Sequence, residues 1–566
     1  MTVLWVVWDA AAAWVVDRLV DEGALPAVSG LRARGVRAAA RPPQPNCQTA
    51  PSLATLFTGT WTDEHGISGF TVPSPRPAAV DDRSSGFQPG LLARPPVWRT
   101  LGERGVSASF VHVPWVVDEE GAVPDYVHAA VEAYSDRVVR CALLALTDGE
   151  AWSWPVREHT VEVGRRGDDV VITTGCDEHV LAADRSWTPI RLPERTGFWV
   201  SRVRTADGGE ALVRTGSWRP RAAGSDRAAV ALLEDAEVFA GEGVGSLYRA
   251  GAFGPRLVDG GDGEAEGTFL GSLSCVAASF RSAVRAVLAA PLPDLVVVYL
   301  PLTDDVGHEL LGWCDTRSAA YRADVAPQVW DVVRRCYAWA DEVIGDVLDA
   351  ADLDAGDTVL LTADHGIVGS AWLVHPNTVL VGCGLAAAGV DGTVDAASSS
   401  VLYHPAGNGA LVVNTDDRLH GRVPATAAGD VLRTAMHALL ALRAPAGGPE
   451  PVVRGFVGEL GEPLDPRDVE DTRDVAYLVL ADDYQPSAAH HPGQAVRPML
   501  KSASHVVNTG DSRLHATFAA AGPGIPADTD WGTVPNTLPA HLVTTALTAD
   551  PVAPGLALGE PVGGRR

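Results

Sequence analysis

Lysine is almost missing from this chain. Lys501 is the single lysine among 44 basic residues, and arginine supplies the rest. Against them stand 71 acids, for a net charge of −27. That balance lacks the basic footprint that non-specific nucleic-acid binding needs, and it opposes adhesion to anionic membranes. It leaves small anionic substrates open, because a bound cation reverses the local field. Cysteine is sparse and unpatterned: Cys47, Cys141, Cys176, Cys275, Cys314, Cys336 and Cys383 are odd in number, widely spaced and without a CxxC pair. A disulfide framework and a cysteine-rich zinc site are therefore disfavoured, and a reducing compartment fits. The N-terminus has no basic n-region, and no run approaches the roughly 20 apolar residues of a spanning helix. The sequence thus predicts a soluble, cytoplasmic protein with no membrane or nucleic-acid partner. It says nothing of oligomeric state.

What is present is ordinary globular material. Hydrophobic residues make up 46 % of the 566 residues and charged ones 20 %, enough for a sizeable core. Residues 2–8 (TVLWVVW) form a β-branched apolar run suited to a strand buried on both faces. Residues 10–34 read as helix broken near Gly23 and Pro26. A Pro-rich loop, RPPQPNCQTAPS, precedes a short helix at 53–58 that ends at Gly59. Further buried strands are predicted at 106–113, 294–300 (DLVVVYL), 357–362 (DTVLLT) and 516–521 (ATFAAA), with a long helix over 318–350. Between them, HTVEVG and VVITTG read as a hairpin, and FWVSRVRT and EALVRTGSW continue that texture.

The fold class expected is α/β, a mostly parallel central sheet flanked by helices, with a β-rich insertion and a mixed α/β cap. The core occupies 1–150, 251–370 and 501–550, the insertion 151–250, the cap 371–500, and a flexible tail 551–566.

Polar clusters end the core strands. Asp9 closes the first, Asp304 and His308 follow the one at 294–300, and Asp364 and His365 follow the one at 357–362. Each has a plain explanation of its own: a helix cap, a surface pair, turn residues. Together they are Asp and His, ligands suited to zinc-like divalent ions, at the carboxyl ends where open α/β sheets place ligands. Two such ions can clamp both the attacking and the leaving oxygen of a phosphoryl group. Thr49 in NCQTAPS is the candidate nucleophile, or else only a helix cap.

These motifs, with LPAVSGLRARGV, TAPSLATLFTG and HGI near the N-terminus, resemble the alkaline phosphatase superfamily and its type I phosphodiesterase/nucleotide pyrophosphatase group. The resemblance implies one metal on Asp9, Thr49, Asp364 and His365 and a second on Asp304, His308 and His505. His505 is chosen over His515 by its interval from ATFAAAGPGI. It implies two divalent ions, with zinc expected and manganese or iron also compatible. The reaction implied is hydrolysis of a phosphate ester or nucleotide through a phospho-threonine at Thr49. Ser52 stands three positions on, where the resemblance implies an asparagine on a phosphoryl oxygen, so nucleotide diesters are the less secure part of the expectation. The alternatives are a phosphomonoesterase acting on a biosynthetic intermediate, a phosphomutase or transferase, and a non-catalytic binding protein. A sulfatase is disfavoured, because Cys47 is followed by QTAPS and not by the CxPxR pattern. His65 is expected to shape its loop, and His490 and His491 to form a solvent-exposed pair on the cap.

Overall fold

The computed structural model describes residues 1–118, 120–146, 152–157, 159–175, 177–181, 185–236, 239–390, 392–403, 409–459, 461–506 and 510–548. Its centre is a ten-stranded sheet. In chain order the strands are β1 (Val3–Trp8), β2 (Val36–Arg41), β3 (Ala108–Val111), β4 (Val127–Val139), β5 (Gly216–Ala223), β6 (Ala240–Glu242), β7 (Leu295–Leu300), β8 (Thr358–Thr362), β9 (Ala516–Ala521) and β10 (Thr529–Pro535). They lie in the order β6-β5-β4-β3-β7-β1-β8-β9-β2-β10. Strands β4, β3, β7, β1 and β8 are successive parallel neighbours, while β5 and β9 run against the strands beside them. This is the α/β architecture, with a mostly parallel central sheet flanked by helices, that the sequence predicts.

Strand β1 owes its central place to its composition. All six residues, VLWVVW, are buried, and each fully buried large side chain stabilises the fold by about 1.5–3 kcal/mol. Only a position between two strands and two helical layers covers both faces of such a strand. Its register aligns Trp8 with Leu300 of β7 and Val7 with Thr362 of β8. The turns after these three strands therefore open side by side.

The helices used below are α1 (Ala13–Asp21), α2 (Pro26–Arg34), α3 (Thr49–Thr58), α4 (Glu264–Ala289), α5 (Ala326–Ala350) and α6 (Leu538–Thr548), among others. Gly23 at φ 71° and Pro26 separate α1 from α2 where the sequence predicts the break. Helix α5 starts later than 318, because residues up to Val325 form turns and Pro327 fits the first helical turn. Helix α3 starts earlier than 53, so Thr49 opens a helix and does not sit in the preceding loop. By length and composition α4 could cross a membrane. Its apolar side lies in the main core, however, and its Arg281 and Arg285 pair with Asp346 of α5.

Outside the sheet, the expected hairpin is present as His159–Arg166 against Asp169–Thr174. It lies in one of two four-stranded antiparallel sheets that share a core including Val161, Ile172 and Phe198. Strands β5 and β6, within the span read as insertion, join the central sheet instead. Residues 371–500 contain a separate core, a four-stranded sheet against the helix Ala428–Leu440. His490 is buried, and His491 packs against His375 with ring centroids 4.5 Å apart, so the two do not form the exposed pair expected. The 551–566 tail lies outside the described residues.

One distant segment is docked with unusual closeness. The amide of Ser502 donates to the carbonyl of His308 at 2.9 Å, and the amide of Gly312 donates to Ser502 Oγ at 3.1 Å. A Cβ on Gly312 would fall 1.8 Å from the Ser502 carbonyl oxygen, inside any real contact. Gly312→Ala is expected to destabilise the fold by at least about 1–3 kcal/mol through overpacking, read as a lower urea midpoint at unchanged slope. A midpoint equal to wild type would show that the contact is not required.

Candidate metal centre and nucleophile

The parallel strands bring three polar turns to one edge of the sheet. Asp9 follows β1 directly, Asp364 and His365 follow β8, and Asp304 begins the helical segment after β7. Asp9, Asp364 and His365 converge so that one ligand atom from each lies within 4.8 Å of the others. Asp304, His308 and His505 do the same. The two groups abut: the rings of His365 and His505 stack at 3.7 Å between centroids, 16° from parallel. His505, which is 140 or more residues from its companions in sequence, arrives on the strap that begins at Ser502. His515 belongs to neither group; its carbonyl accepts from the amide of Ala13.

The backbone fixes these carboxylates. Ala10 takes a left-handed φ of 54°, strained for a residue with a Cβ, and its amide thereby donates to Asp364 Oδ1 at 3.0 Å. The His365 amide donates to the same oxygen at 2.9 Å. Gly366 lets the turn lie against residues 513–515, where its amide donates to the Leu514 carbonyl at 2.7 Å and a Cβ would fall 2.3 Å from the Arg513 carbonyl oxygen. Two imidazoles are oriented likewise. His308 Nδ1 bonds the Ala503 carbonyl at 2.9 Å and His365 Nδ1 the Gly366 carbonyl at 3.0 Å. Each leaves Nε2 facing carboxylates: His308 Nε2 is 3.4 Å from Asp304 Oδ1, and His365 Nε2 is 3.3 Å from Asp364 Oδ2 and 3.7 Å from Asp9 Oδ1. A carbonyl on one ring nitrogen and an open second nitrogen is the arrangement of a metal-binding histidine.

Electrostatics make the need for a cation explicit. Burial, and then the neighbouring Asp364 and Asp304, push Asp9 well above the usual carboxylate range. Burial pushes Asp364 up to about 7. Burial also opposes the charge on Asp304, but His308 and His505 outweigh it and hold that carboxyl below its usual range. Burial lowers His308 to about 4, which favours the neutral ring that ligates metals. Asp9 Oδ1 and Asp364 Oδ2 are buried without a hydrogen-bond partner among the described residues, and Asp304 Oδ1 meets only imidazole nitrogen, His505 Nε2 at 3.1 Å. Orphaned anionic oxygens are costly in a protein interior. Divalent ions held by oxygen and imidazole nitrogen fit them.

Thr49 stands at the edge of this arrangement. It is the first residue of α3, and its Oγ1 lies 3.4 Å from His365 Nε2. Cys47 anchors the approach by donating to the His505 carbonyl. Ser52, one turn further on, is fully buried, and its hydroxyl has no partner among the described residues. His65 shapes its loop: the Ile67 amide donates to Nδ1 at 3.1 Å, and Nε2 meets Thr55 Oγ1 at 3.1 Å.

The type I phosphodiesterase/nucleotide pyrophosphatase pattern matches residues 3–443. The chain belongs to this family, within the alkaline phosphatase superfamily. Among solved structures, murine ectonucleotide pyrophosphatase/phosphodiesterase 5 superposes with a TM-score of 0.48 at 12 % identity, covering 98 % of this chain and 96 % of that one. Its inactive variant in complex with AMP gives 0.49 at 11 %, over 98 % and 96 %. The human protein gives 0.47 at 11 %, over 97 % and 95 %. No curated protein sequence matches the chain. The family is one of hydrolases of phosphodiester and pyrophosphate bonds.

Three supporting residues escape a reading of the sequence. Tyr299 donates its hydroxyl to Asp9 Oδ2 at 2.6 Å, Thr303 Oγ1 donates to the Asp9 carbonyl at 2.6 Å, and Asn536 Nδ2 donates to the Asp364 carbonyl at 2.8 Å. Tyr299 had one signal, a polar tip at the end of the apolar run DLVVVYL; Asn536 had none. Tyr299→Phe removes a bond to a charged group, and partners of this kind matter roughly 10- to 100-fold in metal affinity. Competition with a chelator should show that loss. His505→Ala should lower metal content per chain and His515→Ala should not; the reverse result would exchange the two histidines.

Proposed function

We propose that this family member hydrolyses phosphate diesters, nucleotide derivatives among them, with two divalent ions and a transient phospho-threonine at Thr49. The observation that carries the reading is the position of Thr49: a hydroxyl at a helix start, against two abutting Asp/His groups, one of which has buried carboxylate oxygens without partners. Asp9, Asp364 and His365, with Thr49, would hold one ion, and Asp304, His308 and His505 the other. Bound there, the ions would lower the pKa of the Thr49 hydroxyl and neutralise charge on the phosphoryl oxygens. Zinc suits the Asp/His set, as do manganese and iron.

The chain's own part is positioning. The start of α3 presents Thr49 with the positive end of the helix dipole behind it, which favours an anionic group at that spot. Thr49 Oγ forms a bond to phosphorus as the bond to the leaving alcohol breaks, and the alcohol departs with a proton. Water then cleaves the phospho-threonine, releases the phosphate product and restores the hydroxyl. Ala10, Tyr299 and the Ser502 strap hold the acids and imidazoles in place, so no reorganisation is needed at the moment of reaction.

The test compares bis-p-nitrophenyl phosphate with p-nitrophenyl phosphate, with and without EDTA. The expected result is diester preference, abolished by EDTA. Monoester preference would instead mark a phosphomonoesterase on the same framework. Thr49→Ala should cut turnover by at least about 10³-fold while retaining the fold and most of the bound metal. Near-wild-type activity in that variant would remove Thr49 from the mechanism.

A further inference from the structure

Among the described residues, the core within 371–500 has one member from outside that span, Val80, which is 3 % exposed. Val80 belongs to the tip of a hairpin, Thr71–Pro73 against Arg83–Ser85. Two further contacts hold the tip to the cap. The Leu419 amide donates to the Pro77 carbonyl at 2.6 Å, and Ala79 pairs with Leu419 as a short parallel bridge. Arg76 is paired with both Asp417 and Asp474, and its Nη1 donates to Thr415 Oγ1 at 3.4 Å. Asp474 also pairs with Arg418 at 3.3 Å, so the charges form a network and not an isolated surface pair.

The base of the same hairpin rests on the nucleophile. The Gly86 amide donates to the Phe70 carbonyl at 2.8 Å, and the Phe70 amide donates to Gln48 Oε1 at 3.0 Å. Asn46 Nδ2 donates to the Ser68 carbonyl at 2.7 Å. A Cβ on Gly86 would fall 3.1 Å from Ala50 Cβ and 2.5 Å from the Gly69 carbonyl oxygen, so the base lies directly on the first turn of α3. Gln48 and Ala50 flank Thr49, and both are held by this one element. No acid or imidazole of the centre lies on it.

We propose that the hairpin ties the cap to the nucleophile, and that Arg76 and Val80 are positioning residues that hold Thr49 in place through it. This rests on the reading of Thr49 as the nucleophile of phosphate-ester hydrolysis. The ligands of the centre are placed by the sheet and by the Ser502 strap, whereas the hydroxyl that must meet phosphorus is placed by a separate element anchored in the cap. A reacting group needs such a brace, because rate falls steeply with small errors in its position.

The test loosens the tip and reads the base. Arg76→Gln removes the ionic contact, and Val80→Ser removes the apolar anchor. Each is expected to lower kcat about 10-fold on bis-p-nitrophenyl phosphate, with KM and bound metal little changed. Arg76→Lys keeps a cation between the two aspartates and should retain most of the turnover. Hydrogen exchange on the same proteins should show lost protection at the Phe70 and Ser52 amides, at the base of the hairpin and in the first turn of α3, with the central sheet unchanged. Protection lost only at the tip, with wild-type kcat, would overturn the proposal. So would loss of metal, or loss of protection throughout the sheet, since either would mark a general role in stability. Exchange is read without substrate, so failure of this coupling and failure of the phosphate-ester reading are told apart.

Discussion

Three aspartates that share one buried corner set the terms for the rest of this structure. Asp9, Asp304 and Asp364 sit at the ends of three neighbouring parallel strands, close enough to repel, with Asp9 and Asp364 buried from water and Asp304 half-buried beside them. Removing a carboxylate from water costs several kcal/mol unless a partner compensates. Some compensation is built in, through the amides of Ala10 and His365 and the hydroxyl of Tyr299. These engage one oxygen of Asp9 and one of Asp364 and leave the other exposed to the centre. Hydrogen bonds to one oxygen and an open second oxygen suit cation coordination better than a self-satisfied core.

The surrounding chain is organised to keep that corner closed. Strand β1, buried from end to end, fixes the level at which Asp9 emerges, and the registers with β7 and β8 bring the other turns to the same height. Two glycines then permit close approach. Gly366 seats the His365 turn on residues 513–515, and Gly312 seats the Ser502 strap on the segment that carries His308. Each group thus combines strand-end acids with a histidine whose placement depends on a contact between parts of the chain far apart in sequence.

That division also explains what could be read from the sequence. The apolar runs at β1, β7, β8 and β9 announce buried strands, and an Asp or His just after a buried strand is visible without coordinates. Strand β2, VRAAAR, was not legible, because its alanines carry no β-strand preference and it is held by pairing with β9 and β10. Helix α4 is not legible either, its apolar residues being spread too widely for a clear stripe. Helix α3 starts at Thr49, a turn before the sequence suggests, since Pro51 reads as a loop residue although it is well accommodated in a first helical turn. Tyr299 and Asn536 act on Asp9 and Asp364 across the sheet, and no local pattern reports such a contact.

Two cations meeting those buried oxygens are what this corner requires. Anomalous diffraction at the zinc edge, from crystals grown with zinc, tests it directly. The prediction is two peaks per chain, one among Asp9, Thr49, Asp364 and His365 and one among Asp304, His308 and His505. No peak in either group, or peaks only at surface carboxylates, would contradict it.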